Sequence, residues 1–105
     1  MTLPTDDDPK LLVVVATITA KPGKEQEVKE LLSSIVEPTR GEDGCVAYAL
    51  HQGAADPATF VFTEFWTGQE ALDTHLAGPT ITEGLSVLGP LLAGPPVIVP
   101  LNRIA

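Results

Sequence analysis

The sequence is poor in positive charge and in cysteine. Its 105 residues contain 6 Lys and Arg against 14 Asp and Glu, which gives a formal net charge of −8. A chain this acidic has no surface suited to polyanions, so nucleic acid and anionic membranes are poor partners for it. The one cysteine, Cys45, cannot form an internal disulfide. It lies in an apolar stretch, which indicates a small buried side chain rather than a nucleophile.

Long apolar runs and an export signal are also lacking. The longest apolar segment, residues 11–16, has the length of a strand and is far short of the roughly 20 residues that a membrane-spanning helix needs. The first ten residues carry Asp6, Asp7 and Asp8 where a secretory signal would carry positive charge. We therefore expect a soluble cytoplasmic protein, with a flexible acidic tail over residues 1–10 and one domain over residues 11–105.

The common cofactor motifs are missing as well. No GxGxxG or GxxxxGK pattern occurs, so nucleotide and flavin binding have no support in the sequence. The two histidines, His51 and His75, fall in different predicted elements and have no HxxxH or HxH spacing and no cysteine pair. We expect neither a cofactor nor a bound metal, and any oxygen chemistry would have to proceed without a cofactor.

The apolar pattern predicts an alternation of strands and helices. Residues 11–19 are β-branched and apolar on both alternating faces, which predicts a strand covered on both sides. Apolar residues at helical spacing predict a helix from about Lys24 to Glu37, ended by Pro38. Residues 45–52 and 59–66 alternate around a turn at Asp56-Pro57, which predicts an antiparallel hairpin.

Two capping-box sequences introduce the second helical region. Residues 67–70 (TGQE) and 80–83 (TITE) each place a Thr three residues before a Glu, a pattern typical of a helix N-terminus. Pro90 should end or kink the second of these helices. Residues 97–104 predict a last strand, and Pro100 favours an edge position because it lacks a backbone N–H.

The element order βαββαβ is that of the ferredoxin-like α+β sandwich, an antiparallel sheet with helices on one face. The other face would stay bare, yet the strand at 59–66 is also apolar on both sides through Phe60, Phe62, Trp66, Val61 and Phe65. A large apolar face on a soluble monomer favours association. We therefore expect a homodimer formed sheet to sheet.

Three segments resemble a known family: ATITAKPGKEQEVKELL, GCVAYALHQG and FVFTEFWTGQEALDTHLAGP. They are similar to the antibiotic biosynthesis monooxygenase domain, a group of dimeric α/β barrels that includes cofactor-free quinol monooxygenases. The resemblance implies a dimeric ferredoxin-like barrel with a small-molecule site. The haem-degrading members are a poor match. The positions of their functional residues fall near Ala16, His75 and Leu85, and none of these three is the residue type that those members use. The apolar Leu85 cannot ligate iron.

Four residues are candidates for the site. His75 lies on an apolar helical stripe and could act as a base, or it could be a core histidine. Glu64 lies on an apolar strand face, where a carboxylate needs a partner: His75, or Arg103 or Lys21 in an ion pair. Trp66 could stack against a substrate ring, and Tyr48 could donate its hydroxyl to a substrate oxygen; both could also be core residues.

His51 falls on the strand face opposite Tyr48, which indicates a surface or dimer-interface position. Together these residues predict a cofactor-independent monooxygenase that oxidises a small aromatic compound of the quinol or anthrone type with O₂. Two alternatives remain open at this point. One is an isomerase or processing enzyme for a small oxo-compound, in which His75 would shuttle a proton. The other is a dimer that binds a small ligand without catalysis.

Overall fold

Residues 11–105 are described by a computed structural model and form a four-stranded antiparallel sheet with helices on one face. The predicted acidic tail, residues 1–10, lies outside the described residues. The elements in chain order are β1 (Leu12–Thr19), α1 (Glu25–Ser34), α2 (Val36–Arg40), β2 (Cys45–Gln52), β3 (Thr59–Trp66), α3 (Gln69–Ala77), α4 (Pro79–Leu88), a 3₁₀ turn (Gly89–Leu91) and β4 (Val97–Asn102).

The strands lie in the order β2-β3-β1-β4, and all neighbours are antiparallel. This arrangement confirms the predicted ferredoxin-like α+β fold. The hairpin of β2 and β3 has the predicted bounds, and β4 is an edge strand as Pro100 indicated. β4 ends at Asn102, two residues before the predicted end.

The helix bounds differ from the predictions in two ways. α1 ends at Ser34, and Pro38 does not end a helix but lies within α2. Pro38 is the third residue of α2, in the first turn, where a missing backbone N–H breaks no intrahelical bond.

Both predicted capping boxes are wrong. α3 and α4 begin after Gly68 and Gly78, and neither N-terminus has a side-chain cap. In α4 the fixed φ of Pro79 starts the helix one residue before Thr80, so the Thr hydroxyl cannot serve as its cap. Pro90 does follow the end of α4, within the 3₁₀ turn, as predicted.

The alternation of each strand divides the sheet into two different faces. Val14, Ala16 and Ile18 of β1 and Phe60 and Phe62 of β3 are buried beneath the helices and form the core. The opposite face is only partly covered within this subunit. It carries Val13, Val15, Thr17, Val61, Thr63, Phe65, Ala47, Ala49, His51, Val97, Val99 and Leu101.

None of the helices in residues 11–105 is both long and apolar enough to cross a membrane.

Candidate functional site

A cavity lies between the helical layer and the sheet, and most of its lining is apolar. Its volume is about 50 Å³. The sheet forms its floor and α4 forms much of its outer wall, so the cavity lies between the two layers of the fold and is partly open to solvent. Three lining side chains carry ionisable groups: Tyr48, Glu64 and His75. The other lining residues are Ala16, Ile18, Leu32, Ile35, Phe62, Leu76, Ile81, Gly84, Leu85, Leu88, Leu92, Pro96 and Ile98.

His75 is held between a carboxylate and an aromatic ring. It comes from α3, where its helical position directs it toward the sheet, and it is 3% exposed. Its Nδ1 lies 2.7 Å from Oε1 of Glu42. Its ring lies 4.6 Å, between centroids, from the indole of Trp66 at an interplanar angle of 34°. The contacts with Glu42 and Trp66 therefore fix the orientation of the imidazole.

Glu64 is buried among apolar side chains on β3, as its alternation with Phe60 and Phe62 predicted. Burial raises the pKa of its carboxyl group, because ionisation in an apolar surrounding is costly. A hydrogen bond of 2.8 Å from the Trp66 indole and the nearby His75 act in the opposite direction. Glu64 thus joins the cavity as a carboxyl group that binds a proton more tightly than usual.

The hydrogen-bond donor to Glu64 is not one of the predicted partners, although the charge of His75 does act on this carboxyl group. Its hydrogen-bond donor is Trp66, two residues along the same strand. Lys21 instead donates to the carbonyl oxygen of Pro90, and the Nε of Arg103 donates to the carbonyl oxygen of Ala105. His75 has its carboxylate partner in Glu42 rather than in Glu64.

Tyr48 packs against the rings of Phe62, Trp66 and His75. Its ring lies 4.8 Å from Phe62 and 5.7 Å from His75, between centroids. Burial, and then the charge of Glu64, raise the pKa of its hydroxyl group well above the usual value. Thr39 Oγ1 is fully buried and forms no hydrogen bond of standard geometry. Its weaker contact with the Tyr48 hydroxyl lowers the pKa of Tyr48, but by less than burial and the charge of Glu64 raise it.

Trp66 is fully buried, and its indole packs against the ring of His75. It is not among the residues that line the cavity. The sequence correctly placed Trp66 near His75 and Tyr48, but its indole N–H is occupied by Glu64.

Glu42 is the part of the site that sequence reasoning missed. It lies in the short link between α2 and β2, 33 residues before His75, in a run of polar residues that resembles an ordinary solvated loop. Gly44 brings this link close to α3. It has a φ of +81°, and an added Cβ would lie 2.4 Å from the Cβ of Ala71 and 2.8 Å from Oγ1 of Thr67. The signal available in the sequence was the pair Gly41 and Gly44 around Glu42 and Asp43.

Cys45 and His51 lie outside the cavity. Cys45 is a free, partly buried thiol, and burial with the nearby Glu42 raises its pKa to about 11. This thiol is a poor nucleophile, in agreement with the prediction. His51 is exposed on the opposite face of the sheet, as predicted, and its Nδ1 lies 3.1 Å from the carbonyl oxygen of Val61.

Within residues 11–105, no three His, Cys, Asp or Glu side chains group in a way that could hold a metal ion.

Both the sequence and the fold of this chain are similar to those of known proteins. Residues 11–85 match the sequence profile of a family described as antibiotic biosynthesis monooxygenase. An uncharacterised protein of Synechocystis, sll1783, is 36% identical over 89 residues, which cover 85% of this chain. The chain spans 59% of the length of that relative.

Two further relatives match over nearly their whole length. Rv0793 of Mycobacterium tuberculosis, whose name gives monooxygenase as a provisional activity, is 32% identical over 88% of this chain and 93% of its own. The crystal structure of PA3566 from Pseudomonas aeruginosa is 33% identical, with a TM-score of 0.85 over 91% of this chain and 96% of that one.

Proposed function

This chain belongs to the antibiotic biosynthesis monooxygenase family, and we propose that it oxidises a small aromatic substrate of the quinol or anthrone type with O₂, without a cofactor. One observation supports this most: His75, Glu64 and Tyr48 meet on a cavity that is otherwise apolar. Such a cavity suits an aromatic ring, and its few polar groups are placed to handle one proton and one oxygen atom.

The substrate itself supplies the electrons. Removal of a proton from a phenolic O–H, or from the CH₂ carbon of an anthrone, gives an electron-rich anion that can reduce O₂. One oxygen atom of O₂ forms a new bond to a ring carbon, and it ends as a carbonyl oxygen in the product of an anthrone and as a hydroxyl oxygen in the product of a quinol. The other leaves as water, whose two hydrogens equal in number the two that the substrate loses. The protein has to bind the ring and take up the first proton.

His75 is the base in this proposal. Its Nδ1 is engaged with Glu42, so Nε2 is the ring nitrogen that takes the proton. Glu64, whose pKa is raised by burial, returns a proton to the reduced oxygen. The hydroxyl of Tyr48 stays protonated, because its pKa is raised, and donates to a substrate oxygen. Trp66, predicted as a substrate-binding residue, acts by holding the ring of His75 in place.

The substrate also requires the wall of the cavity to move. A volume of about 50 Å³ is smaller than the roughly 150 Å³ of an apolar cavity that takes up benzene. α4 is the wall that can yield, because Leu88 is its one buried residue and Leu85 and Val87 are exposed. Gly78 precedes α4 and Gly89 follows it.

We also propose that two copies associate through the exposed face of the sheet. That face carries apolar and hydroxyl side chains and His51, and none of the twelve residues named for it above is Asp, Glu, Lys or Arg. Two chains of charge −8 repel each other, so a contact face without charged side chains adds least to that repulsion. Sedimentation equilibrium tests this: Val15→Lys should yield monomers, whereas Val87→Lys on α4 should leave a dimer. A monomeric wild type would overturn it.

The reaction is tested with ¹⁸O₂ and a panel of hydroquinones and anthrones. One ¹⁸O atom in the product, and no turnover without oxygen, would support the monooxygenase. Turnover that is equal under nitrogen would overturn it in favour of an isomerase. Ligand-induced thermal stabilisation without any product would overturn it in favour of a binding protein.

A further inference from the structure

We propose that Glu42 positions His75 and is the group through which the substrate proton leaves the site, an inference that rests on the proposed function. The base is buried, so a proton that it accepts needs a route to water before the next turnover. Glu42 provides both a fixed orientation for the imidazole and a route outward.

The first observation is the contact itself. A carboxylate oxygen accepts hydrogen bonds and donates none, so the 2.7 Å contact places the hydrogen on Nδ1 of His75. The lone pair of the neutral ring is then on Nε2. This tautomer is the one that a base needs, and without Glu42 the ring would be free to adopt the other.

The second observation is the change in exposure along the contact. The His75 side chain is 2% exposed, whereas that of Glu42 is 27% exposed. A proton taken up at Nε2 can therefore be balanced by loss of the Nδ1 proton to Oε1 of Glu42, which passes it to water. In this sequence one substrate O–H or C–H bond breaks and one proton enters solvent. Glu64, which gives one proton to the reduced oxygen, takes one back from solvent, so a complete turnover releases no net proton.

The other ionisable groups near His75 cannot carry a proton from His75 to solvent. Glu64 is buried and already accepts the indole N–H of Trp66. Tyr48 is buried, and Cys45 lies outside the cavity. Among the described residues, Glu42 alone combines a hydrogen bond to His75 with a partly exposed side chain.

The link that carries Glu42 is fixed by Gly44. Its backbone carbonyl accepts from Thr67 N at 2.9 Å, and its missing side chain allows close approach to Ala71 on α3, the helix that carries His75. The contact between Glu42 and His75 is thus set by the packing of the fold, not by the conformation of one exposed side chain.

Three variants separate the two roles. Glu42→Ala removes the acceptor, Glu42→Gln keeps an acceptor that cannot carry a proton, and Asp43→Ala removes a charge from the neighbouring exposed residue as the matched control. The imidazole tautomer is read from long-range ¹H–¹⁵N spectra of the ligand-free protein. We expect Nδ1–H in the wild type and in Asp43→Ala, and a mixture with Nε2–H in Glu42→Ala. An unchanged tautomer in Glu42→Ala would overturn the positioning role.

Turnover tests the proton route. Glu42→Ala and Glu42→Gln should each lower kcat about 10- to 100-fold with little change in KM, the loss typical when a carboxylate partner of a functional imidazole is removed. Formate should restore part of the rate in Glu42→Ala, because the space left by the carboxylate is open to solvent. Wild-type kcat in Glu42→Gln would overturn the route. If the wild type oxidises none of the panel, the proposed function fails, and the tautomer spectra still decide the positioning role.

Discussion

The indole Nε1 of Trp66 donates a 2.8 Å hydrogen bond to Oε1 of Glu64, two residues earlier on the same strand. Both side chains are buried, and both point to the helical side of the sheet. The strand therefore supplies one hydrogen bond to a carboxyl group that apolar burial makes costly to ionise. With this single hydrogen bond and apolar surroundings, the Glu64 carboxyl group favours its protonated form.

This relationship predicts a pH-dependent stability. The pKa of Glu64 in the folded chain is raised above the ordinary value of 4.5, so folding favours the protonated form. The stabilisation is complete below pH 4.5 and is lost as the pH rises through the folded-state pKa. Glu64→Gln should remove this dependence, so the free energy of unfolding of the wild type should fall, relative to the variant, as the pH rises above 4.5.

Urea unfolding at a series of pH values measures the effect. Glu83→Gln, on the exposed side of α4, is the matched control and should follow the wild-type curve. Parallel curves for the wild type and Glu64→Gln would contradict the environment assigned to Glu64.

Two glycines with left-handed backbone form a matched pair. Gly44 has a φ of +81° and no room for a Cβ, whereas Gly23 has a φ of +85° and no atom within 4 Å of an added Cβ. Gly23→Ala should cost about 1–2 kcal/mol for backbone strain alone. Gly44→Ala should cost more, by about 1–3 kcal/mol of overpacking against Ala71 and Thr67. Equal losses in denaturant unfolding would mean that the link does not pack on α3 as described.

Gly84 offers the opposite case. It lies within α4 and lines the cavity, and an added Cβ would meet the Ile35 side chain at an ordinary 3.7 Å. Gly84→Ala should stabilise the fold by about 0.5–1 kcal/mol, because a helical glycine costs that much in backbone entropy. It should also weaken substrate binding by narrowing the cavity. Gly89→Ala, outside the cavity lining, should leave KM unchanged; an equal rise in KM for both would contradict this geometry.

Cys45 should react slowly with alkylating reagents. Its pKa of about 11, against an ordinary 9.0, reduces the thiolate at pH 8 about 100-fold, and the thiolate is the reactive form. Iodoacetamide labelling followed by mass spectrometry should show this difference between the native chain and the chain in denaturant. Equal rates would place Cys45 in a more open environment.

The strands were predictable from the sequence because their alternation is strong. The bounds of β2 and β3 follow directly from residues 45–52 and 59–66, and Pro100 correctly indicated an edge strand. The helix starts were not predictable from the capping boxes, because Pro79 sets the start of α4 one residue ahead of Thr80. The break between α1 and α2 lies at Ile35, three residues before Pro38, because proline cannot donate to the carbonyl oxygen of Ser34 and its ring crowds that carbonyl.

The site was predictable only in part. His75, Glu64, Tyr48 and Trp66 were brought together by alternation and helical spacing, which determine the face on which a residue lies. Glu42 could not be found in this way, because its role depends on where a polar link packs against a helix 33 residues away. Loop placement of this kind follows from tertiary contacts and leaves no periodic pattern in the sequence.

The most direct test of the proposed function is oxygen consumption by metal-stripped protein with a panel of hydroquinones and anthrones, for the wild type, His75→Gln and His51→Gln. His51 is the matched control, because it is exposed on the opposite face of the sheet. The wild type and His51→Gln should consume oxygen well above autoxidation, and His75→Gln, still folded by circular dichroism, should be at least about 100-fold slower, as for loss of a general base. Consumption at the wild-type rate by His75→Gln, or none by the folded wild type, would contradict the proposal.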